Sequence, residues 1–231
     1  MRVLVIGGAG HVAGLILPAL GDHHELRVLD RRPPADPGLD HVVGDATDPA
    51  AVARAADGVD ALVHCAMARH GTGAEAFDVN VKSVYVAMHA GVPHAVQISS
   101  LSVFAGLYRR RVDEDTVPDA TDLYGLTKRL GEEVCRAAAA ETGISVNVLR
   151  LAHPTPDGAW PRWVGPTGRV RQIRARDRAR TPLAALSGTD LARAVLAALA
   201  YRAGFQIFTI AGTEVLWSTA KARTVLGWSH R

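Results

Sequence analysis

The sequence predicts an α/β fold built on a doubly wound parallel sheet, followed by a reduced C-terminal excursion. Three observations support this prediction. Short apolar segments alternate with helical segments, a glycine-rich turn follows the first apolar segment, and a Tyr and a Lys stand four residues apart on a later helix. Parallel strands need crossover connections, which are usually helices, so the alternation favours a parallel sheet. A chain of 231 residues is long enough for one main core.

The apolar periodicity predicts the elements in order. Strands are expected at residues 2–6, 26–29, 61–65, 95–98, 145–149 and 205–210, and helices at 12–20, 51–56, 74–90, 123–140, 189–201 and 218–226. Asp48 is the expected N-cap of the second helix. Prolines interrupt the alternation between residues 151 and 188. We therefore divide the chain into a nucleotide-binding domain (1–150), a small substrate-side segment (151–188) and a helix-strand-helix unit that returns to the core (189–231).

The turn Gly7-Gly8-Ala9-Gly10 has the residues of a phosphate-binding turn. Gly7 permits a tight turn, and Gly10 lets the backbone approach a pyrophosphate. His11 and Val12 open the following helix, whose N-terminal N–H groups favour an anion. The turn lies between a strand and a helix, which is the context of a dinucleotide cofactor site.

Asp30 ends the second predicted strand, where a carboxylate accepts hydrogen bonds from an adenosine ribose and repels a 2′-phosphate. The sequence therefore favours NAD over NADP. Arg31 and Arg32 keep NADP as the alternative, because guanidinium groups in this loop can bind a 2′-phosphate. Asp45 and Ala46 follow the next apolar run, which places the Asp45 carboxylate to accept from the adenine amino group.

Tyr124 and Lys128 lie on one face of the predicted helix 123–140, because a four-residue step covers about one helical turn. Hydride exchange with a nicotinamide needs a proton donor or acceptor at the substrate oxygen. An ordinary phenol, with a pKa of about 10, is too weak a base near neutral pH, and a neighbouring ammonium lowers that pKa. Ser99 or Ser100, at the mouth of the strand 95–98, is placed to hold the substrate oxygen.

These motifs resemble the extended short-chain dehydrogenase/reductase family, also called the NAD-dependent epimerase/dehydratase family, with the uronate dehydrogenase branch as the nearest. The resemblance covers nearly the whole chain. It rests on Gly7-Gly8-Ala9-Gly10-His11-Val12-Ala13, Asp30, Asp45, Val63-His64-Cys65-Ala66, Asn80-Val81, the segment 98–104, Tyr124-Gly125-Leu126-Thr127-Lys128 with Gly131-Glu132, Leu149-Arg150, and the segments 189–195, 219–223 and 226–228.

The resemblance implies a Rossmann fold and a role for each matching residue. Ser100 rather than Ser99 corresponds to the catalytic hydroxyl, Tyr124 to the acid/base, and Lys128 to its modulator and a ribose ligand. Ala66 would line the cofactor, and His153 falls near a segment that flanks the nicotinamide. Family members pair through two long helices, which implies a homodimer through helices 74–90 and 123–140, with close approach at Ala87, Ala90, Ala137 and Ala138.

The departures from the family concern the substrate. Members that act on nucleotide-activated sugars carry a longer C-terminal domain, whereas only residues 151–188 are available here, so a compact substrate is expected. Seven arginines lie between residues 162 and 180. They bind an anionic substrate group or form a solvated basic loop.

We expect NAD-dependent hydride transfer to or from a hydroxyl-bearing carbon of a small polar, sugar-like substrate. Two alternatives stay open: an epimerase or dehydratase that retains its NADH, and a redox-silent nucleotide-binding regulator.

Composition bounds the partners and the compartment. The formal charge of +3 gives no general case for nucleic acid binding. Cys65 and Cys135 are far apart in sequence and do not suggest a disulfide framework, so a reducing, cytoplasmic location is expected. Gly7, Gly8 and Gly10 interrupt the apolar start of the chain, so this start is not expected to be a secretory signal. No apolar run reaches the roughly 18 residues of a membrane span. The histidines lack zinc-ligand spacing, so no metal is expected.

Overall fold

The computed structural model describes residues 1–68 and 72–231 and confirms the α/β class with its parallel sheet. The strands are β1 (Arg2–Ile6), β2 (Glu25–Asp30), β3 (Asp40–Val43), β4 (Ala61–His64), β5 (His94–Ser100), β6 (Ser145–Leu151), β7 (Pro154–Thr155), β8 (Trp163–Val164), β9 (Val170–Arg171), β10 (Ile173–Arg174), β11 (Pro182–Leu183), β12 (Leu186–Ser187) and β13 (Phe205–Ile210).

The central sheet has seven strands in the order β13-β6-β5-β4-β1-β2-β3, and all its neighbours are parallel. The connections run in opposite directions on the two sides of the β1–β4 pair. Such a switch point leaves a crevice at the carboxyl ends of the strands.

Helices cover both faces of this sheet. They are α1 (His11–Gly21), α2 (Pro49–Ala56), α3 (Gly73–Phe77), α4 (Ser83–Met88), α5 (Leu123–Thr142), α6 (Gly188–Ala200) and α7 (Ala220–Leu226). Helices α1 and α6 pack together over one core, which includes Ile16 and Leu191. Helices α2, α4 and α5 enclose the other core, which includes Val52 and Cys135. The Asp48 carboxylate accepts from the Ala50 N–H, which confirms the predicted cap of α2.

The prediction of one continuous α-helix over 74–90 is wrong. A π-helical segment, Asp78–Lys82, separates α3 from α4. Its wider turn carries Asn80 into the interior, where the amide bonds with the backbone of Ala68 and the hydroxyl of Thr127. Apolar periodicity does not reveal such a turn, because neighbouring α-helical turns dominate the pattern.

Two of the four alanines expected at a dimer surface are not on the surface. Ala87 is fully buried and Ala138 is 1% exposed, because both pack inside the core beneath α4 and α5. Ala137 is exposed and Ala90 is half-buried. Two large side chains of these helices are exposed, Phe77 at the end of α3 and Tyr85 on α4.

Between β6 and α6 the chain leaves the sheet. The short strands pair as β7 with β12, β8 with β9, and β10 with β11. They cover a third core, which includes Phe104, Leu183 and Trp217. Within the described ranges, no helix is long and apolar enough to cross a membrane.

Candidate active site

A cleft of about 390 Å³ opens at the carboxyl ends of the central strands. Every residue proposed from the sequence for catalysis or cofactor binding lines it. These residues are Gly7, Gly10, His11, Val12, Asp30, Arg31, Asp45, Ala46, Ala66, Ser100, Tyr124, Lys128 and His153. The cleft therefore brings together residues from seven segments of the sequence.

The glycine turn is shaped for a phosphate group. Gly7 has a φ of 82°, and a Cβ there would lie 2.6 Å from the backbone nitrogen of Ala66. A side chain is therefore excluded at this position. Gly10 is the N-cap residue of α1 and has no side chain that could accept a hydrogen bond from the first turn of the helix. The first N–H groups of α1 are therefore not capped by a side chain of the N-cap residue and can bind a ligand in the cleft. This cradle fits a dinucleotide pyrophosphate.

Asp30 stabilises the same turn. One carboxylate oxygen accepts from the Ala9 N–H at 3.0 Å, and the other accepts from the Arg32 N–H at 3.0 Å. Each oxygen keeps further acceptor capacity for a ribose hydroxyl. The side chain of Arg31 is largely exposed and lies 3.8 Å from the Asp45 carboxylate. A hydrogen bond from the Thr47 N–H is the main cause that lowers the pKa of Asp45.

The two serines at the end of β5 have different partners. Ser99 is buried, and its hydroxyl donates to Glu132 at 2.6 Å. Ser100 is half-buried, and its hydroxyl oxygen accepts from the Ser102 N–H at 3.1 Å. The Ser100 hydroxyl proton is thus the one that can be directed to a ligand.

Lys128 lies in the floor of the cleft. It is 4% exposed, and its ammonium donates to the carbonyl of Ile98 at 2.9 Å. Burial lowers the pKa of Lys128 to about 8, so the ammonium form still prevails at neutral pH. Tyr124 lies one turn earlier on α5, half-buried and lining the same cleft. The Asp122 carboxylate caps this first turn by accepting from the Gly125 N–H.

A buried ion pair supports this region, and the sequence did not give it a role. Arg150 and Glu132 are 1% and 3% exposed, and two short bonds of 3.0 and 2.8 Å join them. The spacing offered a signal, since Tyr124, Lys128 and Glu132 follow one another at four-residue steps on one face of α5. Glu132 also accepts from Ser99, so the pair connects α5 with the ends of β5 and β6.

Aromatic side chains form one boundary of the cleft, and the sequence did not single out two of them. Tyr108, His153 and Trp163 all line the cleft. The Tyr108 hydroxyl and the His153 Nε2 are 2.6 Å apart. His153 has a φ of 52°, a left-handed backbone conformation that is uncommon for a residue with a side chain.

The arginine-rich stretch does not reach the cleft. Its seven members (Arg162, Arg169, Arg171, Arg174, Arg176, Arg178 and Arg180) are all exposed and absent from the cleft lining. Of the two alternatives that the sequence left open for this stretch, these positions agree with the solvated basic loop. For Arg174 and Arg176 the reason is alternation, because the neighbouring Ile173 and Ala175 are buried in the third core and the arginines on either side of Ala175 therefore face outward.

A parallel sheet with this switch point, the Gly7–Gly10 turn and a cleft that holds Ser100, Tyr124 and Lys128 is typical of dinucleotide-dependent proteins of the short-chain dehydrogenase/reductase type. The model of the NAD dependent epimerase/dehydratase family matches residues 3–177. The chain belongs to this family.

Relatives and solved structures agree with this assignment. The chain is 35% identical over 181 residues to a 3-beta-hydroxysteroid dehydrogenase of Mycolicibacterium neoaurum, a match that covers 70% of this chain and 48% of the relative. It is 30% identical over 179 residues to an NAD-dependent glucose-6-phosphate dehydrogenase of Haloferax volcanii, covering 66% of this chain and 68% of that protein. The chain thus spans about half the length of the steroid dehydrogenase it matches.

A short-chain dehydrogenase/reductase superfamily protein from Agrobacterium tumefaciens, solved with bound NAD, has the same fold. The TM-score is 0.83 at 22% identity, and the match covers 100% of this chain and 93% of that one. Uronate dehydrogenases are also among the similar structures.

Proposed function

We propose that this protein is an NAD-dependent oxidoreductase that transfers a hydride to or from a hydroxyl-bearing carbon of a small molecule. The observation that carries the proposal is the single cleft that holds Ser100, Tyr124 and Lys128 next to the glycine turn and Asp30. A redox-silent binding protein would not need a phenol, a hydroxyl and a buried ammonium at that point.

NAD, when bound, supplies the hydride acceptor or donor. Tyr124 moves a proton at the substrate oxygen, and Ser100 holds the same oxygen with its hydroxyl. The Lys128 ammonium favours the phenolate form of Tyr124 and is placed to bind the nicotinamide ribose. Asp30 binds the adenosine ribose, and the glycine turn with His11 and Val12 binds the pyrophosphate. Asp45 and Ala46 hold the adenine, while Ala66 and His153 flank the nicotinamide half.

Replacement of Tyr124 tests the catalytic part of this proposal. Tyr124→Phe keeps the ring but removes the proton relay, so turnover should fall by about two to four orders of magnitude while NAD affinity changes little. Tyr201→Phe is the matched control, because Tyr201 is half-buried and lies outside the cleft lining. Normal turnover of a true substrate by the Tyr124 variant would refute the mechanism. Net NADH release distinguishes a dehydrogenase from an epimerase that retains NADH.

The cofactor preference rests on Asp30. NAD should bind more tightly than NADP in calorimetric titrations, because the carboxylate repels a 2′-phosphate. Tighter binding of NADP would show that Arg31 and Arg32 dominate this loop.

The remaining proposals concern organisation. Residues 1–150 hold the cofactor, residues 151–188 complete the substrate side, and residues 189–231 return to the core. The exposed Phe77 and Tyr85 support a homodimer that pairs through the helices around them. The free thiols of Cys65 and Cys135 support a cytoplasmic location.

A further inference from the structure

A second concave surface, of about 670 Å³, lies on the hairpin that β10 and β11 form. Its lining includes four arginines, Arg174, Arg176, Arg178 and Arg180, and a single acidic residue, Asp177. None of these arginines lines the cleft of the candidate active site. This surface is therefore separate from the residues that carry the proposed function.

The register of the hairpin brings three of these arginines to one face. Arg174 pairs with Pro182, and the same register places Arg176 opposite Arg180. Residues directly opposite on antiparallel strands share a face, as do residues two apart on one strand. All three arginines are exposed, whereas Ala175 between them is buried in the third core. We call Arg174, Arg176 and Arg180 the arginine face.

Hydrogen bonds hold the backbone of the hairpin in place. The Arg180 N–H donates to the carbonyl of Asp177 at 3.2 Å, which closes the turn. The Arg174 guanidinium crosses the hairpin and donates to the carbonyl of Arg180 at 3.1 Å. The Arg176 N–H donates to the carbonyl of Tyr108 at 2.7 Å, which ties the hairpin to a segment far away in sequence. The arginine side chains thus extend from a fixed backbone, which lowers the entropic cost of binding a ligand.

The fold does not balance the charge of the arginine face. None of its three members forms an ion pair among the described residues. Asp177 is the only acidic residue between residues 162 and 180, and its carboxylate accepts from the N–H and the hydroxyl of Thr181. Like charges directly opposite each other on paired strands are destabilising. The pair formed by Arg176 and Arg180 therefore costs stability in the unliganded chain.

Arg180 breaks a second local preference. Its φ is 52°, in the left-handed region. At such a position in a hairpin turn, Gly or Asn is the favoured residue, because a side chain that branches from a left-handed backbone is strained. Local rules that are broken without a compensating contact are expected at functional sites.

We propose that the arginine face binds a compact anion that carries two or more phosphate groups. Phosphate oxygens accept paired N–H bonds from guanidinium groups, and the negative charge removes the repulsion between Arg176 and Arg180. The Cβ atoms of such an opposite pair lie about 4.5–5.5 Å apart, so both side chains reach neighbouring phosphates of one ligand. Free polyphosphate and the phosphate tail of a nucleotide share this chemistry.

The test titrates the full chain, saturated with NAD so that the glycine turn is occupied. The probes are inorganic orthophosphate, inorganic triphosphate and ATP, each without divalent metal, and calorimetry measures their affinity. Arg176→Gln and Arg180→Gln each remove one charge and keep the backbone bonds of the hairpin. Arg54→Gln is the matched control, because Arg54 is exposed on α2 and lines neither the cleft nor the hairpin surface.

Triphosphate should bind at least tenfold more tightly than orthophosphate, and ATP about as tightly as triphosphate. Each hairpin variant should weaken triphosphate binding at least fivefold, whereas Arg54→Gln should leave it unchanged.

Melting temperatures give a second readout with a sign that a merely structural role would not produce. Without ligand at low salt, both hairpin variants should melt about 1–3 °C above wild type, because the repulsion is relieved. About 1 M salt should remove this gain, since the Debye length is then about 3 Å. With saturating triphosphate the order should reverse, because wild type binds the anion more tightly.

The inference is overturned if triphosphate does not bind, if ATP binds and triphosphate does not, or if the hairpin and Arg54 variants bind triphosphate alike. A lower melting temperature of both unliganded hairpin variants would also contradict it. These titrations involve no turnover, so their failure leaves the proposed function standing. If NAD itself does not bind, the proposed function fails, and the comparison of the variants still locates the triphosphate.

Discussion

Glu132→Gln removes one charge from the buried pair beneath the candidate active site. In the native chain, the Arg150 guanidinium donates two short hydrogen bonds to the Glu132 carboxylate, and its Nη1 is buried without a hydrogen-bond partner among the described residues. The variant keeps the side-chain shape but leaves the guanidinium without a countercharge. Breaking a buried pair on one side costs about 3–5 kcal/mol.

The Phe104 ring keeps the expected cost near the lower end of this range. It lies 4.9 Å from the Arg150 guanidinium and still offers a cation–π contact. We expect a loss of about 3 kcal/mol in the free energy of unfolding. For a chain of this size the melting temperature should then fall by about 6–12 °C. Urea titration and thermal scans on the same samples measure both quantities.

The neighbouring residue provides the control. Glu133 is exposed and pairs with Arg136 only at 3.5 Å, so Glu133→Gln should change stability by no more than about 0.5 kcal/mol. A double variant, Glu132→Leu with Arg150→Met, should recover most of the loss, because it leaves no unpaired charge. If the Glu132 and Glu133 variants unfolded within about 0.5 kcal/mol of each other, the buried charge would not carry the cost.

Three further predictions concern the lysine, the arginines and the assembly. The pKa of Lys128 is lowered from 10.5 to about 8, so the unfolded chain binds more protons between these values and this group's contribution to stability rises with pH there. Lys128→Met should therefore be stabilised relative to wild type at pH 7, and the gap in unfolding free energy should narrow by pH 10; an unchanged gap would contradict the shift. Arg174→Ala and Arg176→Ala should leave the Michaelis constant of a true substrate unchanged, and an increase would place a guanidinium in the substrate site. Light scattering at micromolar concentration should give the mass of a dimer, and a monomer mass would remove the proposed pairing.

The sheet and the Tyr124–Lys128 pair were predictable because their signals are local. Each buried strand is a short apolar run, and β1 and β13 have the predicted bounds. Tyr124 and Lys128 need only one helical turn to share a face. Asp30 and the glycine turn meet because Asp30 ends β2 and the turn follows β1. These two strands are parallel neighbours, so their carboxyl ends lie side by side.

The aromatic boundary of the cleft was not predictable in the same way. Tyr108, His153 and Trp163 come from three irregular segments, and Tyr108 and Trp163 pack against the third core. No period of 2 or 3.6 marks such segments.

The arginine stretch did contain a readable signal. Polar and apolar residues alternate strictly from Gln172 to Arg176 in the sequence, and exposed and buried positions alternate in the same way in the structure. A period-two interpretation would have placed Arg174 and Arg176 on the solvent side of a strand, with Ile173 and Ala175 in the core.

The pairing of β6 with β13 has a consequence for how this chain can be altered. Residues 152–187 leave the sheet at the end of one strand, and α6 then returns the chain to the strand beside it. Both ends of the segment are thus held by the framework, and the segment itself adds no strand to the central sheet. The part of this segment between β7 and β12 can therefore be exchanged: a donor segment of another length, spliced between Thr155 and Leu186, should change which compounds are accepted, while His153 and the rest of the nucleotide site are retained and keep their affinity for the cofactor.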